Sequence, residues 1–543
     1  MASRRGKQAG MARRVFLKKV GLAGAAMSAA GLLDAGKTRG ASSTLRWSSA
    51  QNPGTLDPLT NQFDYAFPPF STVFEGLTRY PPGDKWQAVN TLAETLEQSP
   101  DGKSISFTLK QGIPFHGGYG EVVAEDVQYS FYRAVGKEKM YPDAAKEDAS
   151  WYAGDFGGLQ EIKITGKYSG VILFDKPFSP MVRLTLPYAT SGLIVSKKAV
   201  QTLGKAAWLK KPIGTGPYEI VTYTPNRELI MKRFDQYGGA AGQSASAFPW
   251  EEIRVSLAGS GATSTGAAMT AGVESGDVDF TYGITPLDAQ RLQGNSELKI
   301  YGLPQPLSYN FVQINVLHPK LKDIRVRQAI RLGLDIPAMI QAQDLDVSTR
   351  LNALIARQMG VGYWPDAPVY ERNVDKAKSL LQEAGVSSLE LDIAIPGTPP
   401  ATSKDVMQVI QSNLADIGIK VNILLSPPDS YVKDRTVGQL YWTNYGGAPD
   451  PYYQFEWFTC AQFSLWDWAF WCNSDYDNMW NQIAIEENEA KRTQIAIKMQ
   501  QLMDESAGFV WSNYQFTNAV TRAGIQGAFD PNGNPIVQYF KPT

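Results

Sequence analysis

Histidine and cysteine are scarce in this sequence, which has two of each among 543 residues. His116 and His318 lie far apart, and neither stands in a spacing typical of a metal site. The Gly-x-Ser-x-Gly motif of serine hydrolases is also missing. We therefore expect no metal site, no cofactor and no catalytic residues.

Long hydrophobic runs are missing as well. No stretch of 18 uncharged apolar residues is present, so the sequence predicts a soluble body without a membrane-spanning helix. The length of 543 residues exceeds the roughly 250 to 300 at which single hydrophobic cores stop growing. Two or three lobes are therefore expected.

The first 41 residues differ from the rest of the chain. A basic segment precedes an apolar run from Val20 to Leu33 that is too short to span a membrane, as in an export signal. The motif RRVFLK at residues 13–18 resembles the twin-arginine signal, although Ala12 stands where Ser or Thr is usual. We predict a signal peptide over residues 1–41 and a periplasmic protein without a lipid anchor. The alternative is a basic amphipathic helix, which three glycines in the apolar run disfavour.

The charge balance changes once this segment is set aside. The whole chain has a net charge of −1, and removing residues 1–41 deletes nine Lys or Arg and one Asp, which leaves −9. An acidic body argues against nucleic acid or an anionic membrane as partner.

The two cysteines, Cys460 and Cys472, are close together in sequence. Export makes a disulfide permissible, and a bond closing so short a loop would contribute about 3 kcal/mol. The alternative is two buried thiols, because a protein folded before export must form the bond late. We predict the disulfide.

The sequence pattern predicts one supersecondary unit in the second half of the chain. Residues 389–395 alternate as a strand, Ser403 can cap a following helix, Gly418 ends it, and residues 419–425 alternate again. This pattern predicts two parallel strands joined by a crossover helix.

Other local patterns add both kinds of element. Asn373 can begin an amphipathic helix that Gly385 ends. The runs SISFTLK at residues 104–110 and EIKITGK at residues 161–167 are typical of exposed or antiparallel strands. A mixed α/β fold is expected.

Eight separated blocks resemble, in order, the dipeptide and oligopeptide solute-binding proteins (family 5) of ABC importers. That family also includes nickel, haem, opine and some oligosaccharide binders. The blocks are TLDP (Thr55–Pro58), FEGLTRY (Phe74–Tyr80), Leu92–His116, AEDVQYSF (Ala124–Phe131), PIGTGPYEI (Pro212–Ile220), LKDIRVRQAI (Leu321–Ile330), VDKAKSLLQEAG (Val374–Gly385) and NSDYDNMWNQI (Asn473–Ile483). Together they extend over nearly the whole chain after the signal.

The resemblance implies a hinged, two-lobed type II periplasmic binding protein with an additional lobe. By analogy, residues 42–76, 212–300 and 511–543 form the first lobe, residues 77–211 the additional lobe, and residues 301–510 the opposing lobe. It further implies a monomer that captures a peptide, oligosaccharide or other organic solute and delivers it to a permease in the inner membrane. Within GTGPY, we expect the two glycines to supply unusual φ angles where the chain crosses between lobes.

The stretch from Tyr441 to Cys472 contains 13 aromatic residues. In the family, the corresponding segment forms part of the solute pocket and is followed by two bonded cysteines. The resemblance places Tyr445 where peptide binders carry the aspartate that pairs with the α-ammonium of a peptide. Recognition of an ammonium is therefore in doubt, unless Asp450 or another acid replaces it; Asp450 can instead be only a turn residue.

Two readings of the rings stay open. Trp442 and Tyr445, beside the Gly446-Gly447 pair, could form a stacking pocket with Trp457 for flat or C–H-rich solutes, or the rings could pack around the disulfide loop. The resemblance adds further candidate ligand contacts. Arg357 could meet an anionic end and Tyr363 could stack, and the loop after TLDP contributes Asn61, Gln62, Phe63 and Tyr65.

Two classes of function compete at this point. The first is a receptor that closes on a solute and delivers it unchanged, which fits lobes that move relative to each other. The second is an exported glycoside hydrolase, which the many aromatic and acidic residues could serve through a carboxylate pair. No such pair is identifiable in the sequence, which favours the receptor without naming its solute.

Overall fold

A computed structural model provides the structure of the protein. It describes residues 43–49, 53, 55–60, 68–145, 149–150, 152–240, 242–257, 266–345, 348–395, 402–425, 427, 431, 433–463 and 465–543. The predicted signal peptide lies outside these residues. Within the part described, no helix has the length and apolar character needed to cross a membrane.

Strands form two main sheets and two short ribbons. The strands are β1 Thr44–Ser48, β2 Thr78–Arg79, β3 Val89–Asn90, β4 Ala93–Gln98, β5 Ser104–Leu109, β6 Leu159–Gly166, β7 Ser169–Phe174, β8 Tyr218–Thr224, β9 Glu228–Arg233, β10 Glu252–Ser256, β11 Phe280–Ile284, β12 Leu298–Ile314, β13 Leu389–Ala394, β14 Ile419–Leu424, β15 Leu440–Gly446, β16 Phe509–Arg522, β17 Ile525–Gln526 and β18 Lys541–Pro542. The large sheet has ten strands in the order β14-β13-β15-β12-β16-β11-β1-β10-β9-β8, and the smaller one has the order β4-β5-β7-β6.

Helices pack around these sheets. The helices are α1 Pro68–Val73, α2 Ala124–Val135, α3 Lys197–Trp208, α4 Gly266–Ser275, α5 Pro286–Leu292, α6 Ile324–Gly333, α7 Ile336–Asp344, α8 Val374–Glu383, α9 Ser403–Ala415, α10 Pro451–Glu456, α11 Ser474–Ile485 and α12 Glu489–Ser506. The mixed α/β class predicted from the local patterns is confirmed.

The predicted strand-helix-strand unit is present as β13, α9 and β14. The strands pair in parallel, with Leu389 opposite Ile419, and Gly418 ends the intervening turn with a φ of 87°. The predicted cap is wrong, because Ser403 is the first helical residue and Thr402, which precedes it, makes no side-chain capping bond. The helix is held instead by its buried apolar face, including Ile410.

The remaining local predictions hold. Asn373 caps α8 by accepting a hydrogen bond from Lys376 N, and Gly385 follows the helix with a φ of 72°. Strands β5 and β6 each pair antiparallel with β7. The small sheet falls inside the segment predicted to form the additional lobe.

The glycines of GTGPY have a different role from the one predicted. Neither Gly214 nor Gly216 has a positive φ. A Cβ on Gly214 would lie 2.0 Å from Val73 O, and one on Gly216 would lie 2.3 Å from Thr72 O. The lack of a side chain therefore serves the close approach of two backbone segments.

Asp57 of TLDP organises a buried polar centre. Its Oδ2 accepts hydrogen bonds from Arg133 Nη2 at 2.7 Å, Tyr141 OH at 2.9 Å and Trp208 Nε1 at 2.7 Å. Both members of the Asp57–Arg133 ion pair are fully buried. Loss of either partner would leave an uncompensated buried charge, which costs about 3–5 kcal/mol.

The two ends of the large sheet have separate cores. One cluster covers β1 and β8–β11 and extends into the segment predicted to form the additional lobe, with Trp47, Ile253 and Phe107 among its members. At the other end, one sheet face packs an aliphatic core that includes Ile393 and Leu440. The opposite face carries a core rich in aromatic rings, which includes most of the rings in the Tyr441–Cys472 stretch.

Candidate functional site

The long strands β12 and β16 join the two halves of the large sheet. β12 and β16 pair antiparallel along most of their length, and the register shifts between Gln305 and Tyr309 opposite Gln515 and Tyr514. The predicted lobe boundaries at 300/301 and 510/511 fall inside these strands. β12 pairs with β15 over residues 308–314, and β16 pairs with β11 over residues 518–521, so the two strands connect the halves of the sheet, with an irregular step between them.

The aromatic face of β15 centres on Tyr445, whose side chain is buried. Its hydroxyl accepts a hydrogen bond from Gln313 Nε2 at 2.9 Å and donates one to Trp466 O. Burial raises the pKa of Tyr445 well above its usual value, so the ring stays neutral. Six further rings of the described residues have centroids 5.2–6.3 Å from it, and we call all seven the aromatic cluster: Tyr309, Phe311, Tyr445, Trp457, Phe458, Trp466 and Trp468.

Three polar atoms of this cluster are buried without a partner among the described residues. They are the hydroxyl of Tyr309 and the Nε1 atoms of Trp457 and Trp468. Each can donate a hydrogen bond, and a buried donor left unpaired costs free energy. Since buried polar groups are normally paired, these three atoms are available to donate hydrogen bonds to water or to a solute.

Trp442 does not belong to this cluster. It is 3% exposed and packs in the aliphatic core with Val312, Leu440 and Val510. Because successive side chains of a strand point to opposite faces, Trp442 and Tyr445 lie on opposite sides of β15. The expected pocket using both rings is therefore not formed; Tyr445 and Trp457 are together, with ring centroids 6.0 Å apart.

Asp450 has the turn role rather than a free carboxylate. Its Oδ1 accepts from Tyr452 N at 2.9 Å, which caps α10, and its two oxygens receive Arg492 Nη2 and Nη1 at 2.7 and 2.9 Å. The carboxylate is completely buried. The carboxylate oxygens already accept hydrogen bonds from Arg492 and Tyr452 N, so the structure does not present Asp450 to a solute.

Gly447 has a packing role inside the protein. A Cβ there would lie 2.2 Å from Gln454 Nε2, whereas one on Gly446 would meet nothing within 4 Å. The close contact at Gly447 is thus with the protein's own side chain.

Glu456 is a second carboxyl near the cluster. It is the last residue of α10 and directly precedes Trp457. It is half-buried, burial raises its pKa, and no cation is paired with it in the described part of the chain. Sequence reasoning did not single it out.

Arg357 and Tyr363 contact each other. Arg357 Nη2 donates to Tyr363 OH at 3.2 Å, and the guanidinium carbon lies 5.1 Å from the ring centroid. Arg357 is exposed, while Tyr363 packs against the aromatic core. The structure thus places both near the aromatic side of the sheet, and their roles as ligand contacts stay predictions.

The disulfide between Cys460 and Cys472 is confirmed, with Cα atoms 4.7 Å apart. The loop it closes carries Trp466 and Trp468 of the aromatic cluster. Inside the loop, Asp467 accepts from Trp471 N and Ala469 N at 2.9 and 3.2 Å. The bond and this buried carboxylate hold the loop that contributes two of the rings.

Tyr80, Trp86 and Tyr188 form a second group of rings with centroids 5.1–6.5 Å apart. Trp86 and Tyr188 pack against the aromatic core. Tyr188 and Tyr453 both pack against a small buried cluster of Leu184, Ala189 and Ala448, and the Tyr453 ring centroid lies 5.3 Å from that of Trp457. The two groups of rings are therefore close neighbours.

A cavity of about 110 Å³ lies behind Tyr80 and Tyr188. It is lined by α1, by residues 74–80, by residues 186–193 and by the C-terminal segment 530–538. Four predicted contacts, Asn61, Gln62, Phe63 and Tyr65, lie outside the described residues, and the chain next becomes described at Pro68, which lines this cavity.

Several site residues were missed at the sequence level. Tyr309 had a usable signal, because Tyr309, Phe311 and Gln313 alternate toward one face of β12. Trp466 and Trp468 were inside the aromatic stretch but could not be separated from core rings. Nothing in the sequence indicated the cavity, because distant segments form it.

A ten-stranded mixed sheet whose two halves are joined by the long strands β12 and β16 is the architecture of a type II periplasmic binding protein. The family model for bacterial extracellular solute-binding proteins, family 5 (middle region), matches residues 87–464. The chain belongs to that family, as the eight sequence blocks predicted.

Relatives and solved structures agree with this assignment. The dipeptide-binding protein of Escherichia coli (strain K12) is 24% identical over 526 residues, covering 91% of this chain and 93% of the relative. The glutathione-binding protein GsiB of Shigella flexneri is 25% identical over 346 residues, covering 62% and 60%.

Two solved structures show the same fold. HbpA2 from Haemophilus parasuis has a TM-score of 0.77 at 20% identity, covering 92% of this chain and all of that one. The dipeptide-binding protein from Pseudoalteromonas sp. SM9913 in complex with Met-Leu has a TM-score of 0.74 at 19% identity, with the same coverage. The chain is thus a solute-binding protein of the ABC-importer type, and no comparison supports a glycoside hydrolase.

Proposed function

We propose that this protein is a monomeric periplasmic receptor, exported by its twin-arginine signal, that closes on one organic solute and delivers it unchanged to an ABC import permease. The hinge strands β12 and β16 support closure, and family membership supports delivery. Binding rather than catalysis is further supported by relatives that are binding proteins.

The solute class follows from the aromatic cluster. Its unpaired buried atoms, Tyr309 OH, Trp457 Nε1 and Trp468 Nε1, all can donate hydrogen bonds, and two of them have no lone pair to offer. Tyr445 is neutral and its hydroxyl is already paired. This wall therefore suits a solute that presents ring or C–H faces together with hydrogen-bond acceptors, such as the carbonyl groups of a peptide or the oxygens of a sugar.

Peptides fit this description through their backbone carbonyls. Relatives include dipeptide-, di/tripeptide- and glutathione-binding proteins. We expect a peptide to be held by its faces and carbonyl oxygens here, without a carboxylate from position 445 for its ammonium. Glu456 is the competing group, because a half-buried acid with a raised pKa would gain from a cation beside it.

Calorimetry with the dipeptide Met-Leu and with N-acetyl-Met-Leu tests the proposal. We expect acetylation to change the dissociation constant by less than about threefold, since no charged partner is lost. A loss of tenfold or more, reproduced in the free dipeptide by Glu456→Gln, would instead assign ammonium recognition to Glu456. Mass spectrometry after incubation should recover the solute intact; release of product would contradict the receptor.

Export and assembly have direct tests. Replacing Arg13 and Arg14 by Lys should retain the protein in the cytoplasm, as judged by cell fractionation, because the predicted signal depends on the pair. Light scattering of the purified protein should give the mass of one chain. Periplasmic appearance of the Lys variant would contradict the proposed route.

A further inference from the structure

The cavity behind Tyr80 and Tyr188 contains polar groups that the protein itself leaves unpaired. The Oγ1 atoms of Thr78 and Thr190 and the Nε atom of Arg79 are buried without a partner among the described residues. Thr78 and Thr190 are 6% and 3% exposed, so bulk water does not compensate them. By contrast, Thr91 lines the same cavity but its hydroxyl donates to Gly76 O at 2.6 Å.

The carboxyl groups of the cavity are already supplied with donors. Glu75 accepts from Tyr237 OH at 2.7 Å and from Thr215 Oγ1 at 3.1 Å. Asp530 accepts from the backbone N atoms of Asn532 and Asn534 at 2.8 and 2.9 Å, and from Asn534 Nδ2 at 3.0 Å. These acids therefore do not need a cation to complete their hydrogen bonds.

The balance of charge limits what can enter. The lining has two carboxyl groups, Glu75 and Asp530, and one guanidinium, Arg79, which lies over the Tyr539 ring at 4.8 Å. Burial raises the pKa of Glu75, raises that of Asp530 to about 6 and lowers that of Arg79, so the cavity disfavours charge of either sign. What is missing is an uncharged hydrogen-bond acceptor.

We infer that this cavity is a subsite for a small uncharged polar group that accepts hydrogen bonds, such as a carboxamide or hydroxyl group of the solute. The volume of about 110 Å³ holds a group of a few heavy atoms. The assignment rests on the proposed function, because Tyr188 lines the cavity and packs against the same small buried cluster as Tyr453, which lies beside the aromatic cluster. A solute held against the cluster can therefore extend a side group toward Thr78 and Thr190.

Three small molecules of similar size and different charge test the subsite directly. Crystals of the protein are soaked in turn with acetamide, sodium acetate and methylammonium chloride. We expect acetamide alone to occupy the cavity, with its oxygen within hydrogen-bond distance of Thr78, Thr190 or Arg79. Ordered water only, or preferential occupation by acetate or methylammonium, would overturn the inference.

Isosteric variants separate a binding role from a structural one. Thr78→Val and Thr190→Val should weaken acetamide binding, measured by saturation-transfer NMR, by about threefold to tenfold. Neither should lower the melting temperature of the unliganded protein, because each removes a hydroxyl that has no partner. Thr91→Val is the matched control: it should lower the melting temperature and leave acetamide affinity unchanged. Equal affinity in all four proteins would overturn the subsite.

The two proposals can fail separately. Acetamide binding does not require the full solute, so occupation of the cavity without any binding of Met-Leu would contradict only the peptide solute. Binding of Met-Leu with an acetamide-free, water-filled cavity would contradict only the subsite.

Discussion

The two faces of β15 carry cores of opposite character. The face that includes Leu440 and Trp442 packs against aliphatic side chains, which carry no hydrogen-bonding atoms. The face that includes Tyr445 packs against rings and leaves three donors of the aromatic cluster unpaired. The aliphatic face has few polar atoms to satisfy, whereas the aromatic face has three donors available to water or a solute.

The largest expected effect concerns the ion pair that holds α10 on the aromatic side. Asp450→Asn should lower the free energy of unfolding by about 3–5 kcal/mol, because Arg492 would be left as an uncompensated buried charge. Denaturant unfolding measures it. Glu489→Gln is the control: its pair with Arg183 is exposed on the Glu489 side and should contribute about 0–1 kcal/mol. Similar effects of the two changes would contradict a structural role for Asp450.

Removing Trp442 from the aliphatic face of β15 should affect stability alone. Trp442→Ala should lower the free energy of unfolding by about 3–5 kcal/mol through the cavity it creates in the aliphatic core. Solute affinity of the folded variant, measured well below its melting temperature, should be unchanged. A large loss of affinity at normal stability would return Trp442 to the solute pocket.

The disulfide should affect both stability and the aromatic face of β15. Replacing both Cys460 and Cys472 by Ser should lower the free energy of unfolding by about 3 kcal/mol, since the bond constrains the unfolded chain. Solute affinity should also fall, because the loop carries Trp466 and Trp468. The reduced wild-type protein is the matched control and should show the same melting temperature as the double variant.

The smallest expected effect concerns the unpaired hydroxyl of Tyr309. Tyr309→Phe should weaken solute binding by about twofold to tenfold without lowering the melting temperature, because the lost hydroxyl has no partner in the unliganded protein. Tyr441→Phe is the opposite case: its buried hydroxyl donates to Tyr431 O at 2.8 Å. That variant should lose about 1 kcal/mol of stability and keep its affinity. Calorimetry and thermal melts together distinguish the two.

Local patterns in the sequence predicted much of the fold. Alternation at residues 389–395 and 419–425, with helical spacing between them, gave the parallel pair β13 and β14, because side-chain periodicity reports which face is buried. The cap at Ser403 was misplaced by one residue, since helix ends depend on backbone geometry that several neighbours can satisfy.

The candidate site was less predictable. Spacing alone could not tell that Trp442 and Tyr445 point to opposite faces, because that required knowing that residues 440–446 form a strand. It also could not tell that Asp450 is neutralised by Arg492, which is 42 residues away in sequence. The glycines of GTGPY were predicted to have unusual φ angles, because a close approach of two backbone segments produces the same sequence pattern.

The family, the mixed α/β elements and the pair of cysteines that could bond were predictable, because periodicity, turn residues and family blocks are local properties of the sequence. It takes the folded structure to show which rings share a surface, which carboxylates are neutralised and which donors remain unpaired. Those properties depend on contacts between segments far apart in the chain, such as Thr78 and Thr190 around one cavity, and no local pattern encodes them.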